Sequence, residues 1–172
     1  MASEGPNSPD VGEDEAGIGS VVWTAPTDVV SSNDVRANAI VGVTRWLKAT
    51  DYDFVIPAGA TIDGIVVEIE KAGGGTGVVR DNAVRIVKGG TIGSTDKSTA
   101  DDWLAGDSYI TYGTSTDLWG ESWTADDING TGFGSAISAK LQSGVSATAL
   151  VDHIRITVYY TEGPPITTSP PT

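Results

Sequence analysis

The chain has 172 residues, no cysteine, and 23 acidic against 10 basic residues, for a formal charge of −13. That length suits one domain with its own core, and the missing cysteines exclude disulfides, thiolate metal sites and a cysteine nucleophile. The acidic balance repels phosphate and argues against nucleic acid as a partner; the absence of a long apolar run or a basic-then-apolar leader predicts no membrane partner and folding in a cytoplasm.

Residues 1–20 are polar, acidic and broken by Gly and Pro. They lack the apolar content to fold alone. They read as a tail in the isolated protein and, in an assembly, as an arm that orders against a neighbouring subunit. Its acidic run Glu13, Asp14 and Glu15 is then a candidate partner-binding element. The folded domain is expected to run from Val21 to Thr161.

Inside that span apolar residues recur at period two, the mark of half-buried strands. Val41, Val43 and Leu47 share one parity, interrupted by Arg45. Val35 to Trp46 has some helical spacing, but its β-branched residues favour strand. Pro57-Ala58-Gly59 predicts a turn into a strand carrying Ile65, Val67 and Ile69. Gly73-Gly74-Gly75 predicts a hairpin into a strand at 78–88, ended by Gly89-Gly90. Thr124 to Asp127 resembles a capping box with Asp in place of Glu, and Asn129-Gly130 should stop that helix after about one turn. Ile137, Ala139 and Leu141 mark a further strand. Ile154, Ile156, Val158 and Tyr160 mark the last one, long enough and apolar enough for the middle of a sheet. Residues 162–172 carry four prolines (Pro164, Pro165, Pro170 and Pro171) and predict an extended, polyproline-like tail. Short strands with Gly-rich turns give an all-β class: an antiparallel β-sandwich of jelly-roll type, with extended N- and C-terminal tails.

Residue types able to carry chemistry are few. His153, the single histidine, would have to serve any Ser-His-Asp triad. It sits on the parity opposite Ile154 and Ile156, which predicts a solvent-facing or interface position. The pairs Asp51 with Asp53, Asp101 with Asp102 and Asp126 with Asp127 lie in loop-like sequence, where Asp forms turns and caps. Asp126, Asp127 and Asn129 offer oxygen ligands beside a Gly turn, so a structural calcium is the metal to test there. They lack the full spacing of an EF-hand loop, and no other cofactor is implied. Gly73 to Gly77 lies between two strands and has no Lys-Ser/Thr pair, so it is not a phosphate-binding loop. Five tryptophans stand against two phenylalanines. Trp119 and Trp123 are expected to be buried. Trp103 is left as a candidate platform for a protein or sugar partner.

The segment Tyr112 to Gly134, YGTSTDLWGESWTADDINGTGFG, is followed by Val151 to Thr161, VDHIRITVYYT, and preceded by Tyr52 to Ile65, YDFVIPAGATIDGI. In this order the three resemble a family of β-sandwich proteins found in tailed-phage genomes and prophage regions. The family is similar to virion structural proteins, including head decoration (cement) proteins with jelly-roll folds. The resemblance implies no catalytic residues. It implies a homotrimer bound to the major capsid protein on the outer head surface, made in the host cytoplasm and not an enzyme. The other readings are a tail or fibre module, and a carbohydrate-binding module using Trp and Tyr platforms.

Overall fold

The computed structural model describes residues 1–40, 42–142 and 145–164. In chain order the strands are β1 (Ala2–Asn7), β2 (Val11–Glu15), β3 (Ala37–Ile40), β4 (Gly42–Val43), β5 (Trp46–Thr50) and β6 (Thr61–Gly75). They continue with β7 (Val79–Lys88), β8 (Thr91–Ile92), β9 (Ser108–Thr114), β10 (Gly134–Leu141) and β11 (Ala147–Thr161). One 3₁₀ turn, Pro26–Val29, and one helix, α1 (Ala125–Asn129), interrupt them. Strand takes 52% of the described residues and helix 6%, which establishes the all-β class.

The strands form two antiparallel sheets. The first runs β1-β11-β6-β9, with β3 lying beside β1 along the same edge of β11. The second runs β2-β5-β10-β7-β8, with β4 continuing the line of β5 along β10. Ile65, Val67 and Ile69 of β6 and Ile154, Ile156 and Val158 of β11 meet Leu47, Val84, Ile86 and Ile137 of the other sheet in one core. A smaller cluster of Trp46, Ala83, Val87 and Ala136 covers the outer face of the second sheet, with Ile18 packed on it. The expected alternation therefore holds in β6, and β11 is central, flanked by β6 on one side and by β1 and β3 on the other.

Three expectations need correcting. Residues 1–20 do not hang free: β1 pairs with β11, β2 pairs with β5, and Ile18 joins a core cluster. Their strands take hold through backbone ladders, which need no apolar side chains. Gly73 to Gly75 do not turn a hairpin: they end β6, still paired with β11, and residues 76–78 lead to β7 in the other sheet. The strand expected around Val41 forms as β3, β4 and β5, although Val41 itself lies outside the described residues, as do 165–172 of the Pro-rich tail.

Two glycines that follow large aromatic residues, Gly120 and Gly134, work as close-approach points. A Cβ on Gly134, after the buried Phe133, would stand 1.9 Å from the Ala49 carbonyl oxygen. Gly120, after Trp119, has φ +73 and would meet Thr95 Oγ1 at 2.4 Å. Trp119 itself has φ 58, unusual for a bulky residue. Its fully buried ring donates from Nε1 to the Ile65 carbonyl at 2.9 Å, which holds that backbone in place.

A buried lysine–aspartate pair and an outer histidine cluster

Lys71 shares the parity of Ile65, Val67 and Ile69 in β6, so its side chain points into the sandwich. Asp81 comes from the opposite sheet. On β7, Ala139 pairs with Asp81 and Ser138 with Ala83, which leaves Asn82 as a bulge. The bulge shifts the parity of the strand. Val84 and Ile86 face the core beyond it, and Val79 and Asp81 face the same core before it. Without the extra residue, Asp81 would point to the outside.

The two charges therefore meet in the interior, with side-chain exposures of 3% for Lys71 and 0% for Asp81. Asp81 is surrounded by donors. Trp103 Nε1 donates to Oδ1 at 2.8 Å, the Tyr112 hydroxyl to Oδ2 at 2.8 Å, and the Thr99 backbone N–H to Oδ2 at 3.1 Å. Lys71 Nζ donates to Oδ1 and to the Tyr112 oxygen, and lies 4.6 Å from the Trp103 ring centroid. Burial pushes the Lys71 ammonium below its ordinary range while Asp81 pulls it back. Burial, then Asp81, pushes the Tyr112 phenol far above its ordinary value. A cavity of about 50 Å³ lies beside Lys71, lined also by Thr99, Asp101, Asp102, Trp103 and Leu104 among others.

Trp103, expected as a possible contact platform, is thus 8% exposed and is a wall of this cluster. Trp119 is buried as expected, and Trp123 is partly buried against the core, edge-on to Phe133. Neither Lys71 nor Asp81 was singled out from sequence. A lysine on the apolar parity of β6 was the one available signal.

A second polar cluster occupies the outer face of the first sheet. His153 does lie on the parity opposite Ile154, but it is only 6% exposed, so the solvent-facing expectation fails. The turn between β1 and β2 covers it. His153 Nε2 contacts Ser8 Oγ at 2.9 Å, and Nδ1 contacts the Tyr109 hydroxyl at 2.8 Å. Burial holds the imidazole below its usual pKa, against the pull of Glu70. Arg155 stacks 3.8 Å above the Tyr109 ring and grips Glu68 through two bonds of 2.9 and 3.1 Å.

The acidic run of β2 is spent on the chain's own cations. Glu13 and Glu15 both pair with Lys48, and Asp14 pairs with Arg45 at 3.3 Å and accepts from the Trp23 backbone N–H at 2.8 Å. The suggested calcium ligands are likewise divided among other tasks. Asp127 completes the capping box with Thr124 and pairs with Lys88 at 3.3 Å. Burial opposes the charge on Asp127, but Thr124 and Lys88 hold its carboxyl below the usual range. Asn129 clamps Ile56, accepting from its N–H at 2.7 Å and donating to its carbonyl at 2.9 Å. Asp126 is exposed. Among the described residues the carboxylates that gather closely are instead Asp34, Asp107 and Asp152. Arg36 pairs with the first two, and Asp152 accepts from the Asn33 and Asp34 amides.

No family model matches the chain, and neither does any curated protein or solved structure. No helix among the described residues is long and apolar enough to cross a membrane.

Proposed function

We propose that the chain is a structural protein of a tailed-phage virion, a capsid decoration protein of jelly-roll type. In this reading it binds the outer surface of the head as a homotrimer seated on the major capsid protein. It carries no catalytic step, and its effect is mechanical: contact area across subunit joints stabilises the shell by mass action. The motif order from Tyr52 to Thr161 supports the family.

One structural observation carries the reading furthest. Eight of the ten cations, Arg36, Arg45, Lys48, Lys71, Arg80, Lys88, Lys97 and Arg155, pair with the chain's own carboxylates. What remains outward is the surplus of acid behind the net charge of −13. Such a surface suits docking on a basic patch of a large partner and keeps free copies soluble and apart. A sugar platform has less support, because Trp23, Trp46, Trp103 and Trp119 are all buried.

Adding the purified protein to undecorated heads tests the proposal. Saturable binding with a raised melting temperature of the heads is expected. No binding, or binding without stabilisation, overturns it. Labelled protein found on tails or fibres in intact particles would move the assignment to a tail module.

A further inference from the structure

We propose that Lys71 and Asp81 condense into an isopeptide bond that joins the two sheets covalently. The amine and the carboxyl come from β6 and β7, in opposite sheets, and are in contact. Both are sealed from water, at 3% and 0% exposure, between the Trp103 and Tyr112 rings. An ion pair in that setting loses most of its solvation, so moving a proton within the pair costs less than it would in water.

The step balances within the cluster. The Lys71 ammonium passes one proton to Asp81 Oδ1, leaving a neutral amine beside a neutral acid. The nitrogen lone pair adds to Cγ, and negative charge collects on Oδ2. The Tyr112 hydroxyl, at 2.8 Å, and the Thr99 N–H, at 3.1 Å, already point at that oxygen. A second proton moves from nitrogen to Oδ1, the Cγ–Oδ1 bond breaks, and water leaves. The third proton stays on the amide nitrogen, and Oδ2 becomes the amide carbonyl with both donors in place. One cation and one anion vanish together, so the net charge is unchanged, and no oxidant, reductant or other co-reactant is consumed. The adjoining cavity of about 50 Å³ is large enough to receive the water. The proximity itself supplies the effective concentration that two free side chains would lack.

The bond would fasten the sandwich across its layers, between strands that share no ladder. It stands or falls independently of the virion reading.

The intact mass of the full, denatured chain tests it. The expected mass is one water below that of the sequence. In a tryptic digest Lys71 is expected to escape cleavage, with the peptide Ala49–Arg80 joined to the peptide Asp81–Arg85. Lys71→Arg and Asp81→Ala chains are expected at full mass. The unmodified chain decides the matter even if either variant does not fold. A full mass, or a missing water located elsewhere while trypsin cuts after Lys71, overturns the proposal.

Discussion

Lys71 and Lys48 are both lysines bound to carboxylates, and they show how differently one ion pair behaves in two places. Lys71 is sealed between the sheets with Asp81, at 3% and 0% exposure. Lys48 lies on β5, at the outer face of the second sheet; its own side chain is 10% exposed, but those of its partners Glu13 and Glu15 are 49% and 38% exposed. In the interior each charge depends on the other and on a few fixed neighbours, because water cannot replace a lost partner. At the outer face water and salt reach the two carboxylates, so the pair directs the β2 strand more than it stabilises it.

The sharpest way to break that contrast is to orphan the inner lysine. Asp81→Ala is expected to cost about 3–5 kcal/mol, as for other broken buried pairs, read as a lowered midpoint in urea unfolding. Replacing both charges together, Lys71→Met with Asp81→Leu, should recover most of that loss if the contact is only ionic. Failure to recover would favour a covalent link. Trp103→Phe keeps an aromatic face, though a smaller one, and removes one donor from Asp81; about 1.5–3 kcal/mol should follow, measured the same way.

The histidine cluster offers a pH test of burial. His153 titrates below 6.5 in the folded protein, chiefly because burial penalises its cation. As pH falls through 6.5 the unfolded chain takes up the proton first, so stability should decline until the folded pKa is passed. His153→Gln should remove that part of the slope; parallel profiles for the two proteins would refute the assignment. Smaller still, Thr124→Ala should cost about 1 kcal/mol through loss of the α1 cap, seen in thermal unfolding. Smallest of all, Lys48→Gln should cost less than about 1 kcal/mol and the difference should shrink as salt is raised. A Lys48 effect as large as that of Asp81 would erase the distinction between outer face and interior.

Much of the scaffold was legible because it depends on local periodicity. Alternation in β6 and β11 and the Thr124 capping box could be read from neighbouring residues. The N-terminal strands could not. Val11 to Glu15 has no apolar alternation, and its place is set by backbone bonds to β5 and by Lys48 and Arg45. His153 was misplaced for a related reason, since parity assigned it an outer face but could not show that Ser8 and its turn cover that face.

Composition and period by themselves determined the class of this protein, its absence of thiol chemistry and the positions of its longest strands, because these follow from residue type and from the spacing of side chains along an extended backbone. The Lys71–Asp81 cluster was decided only by the tertiary structure. One inserted residue, Asn82, reverses the facing of β7, and the crossing at residues 76–78 carries that strand to the opposite sheet. Which charge meets which depends on strand pairing between distant parts of the chain, and no short window of sequence contains it.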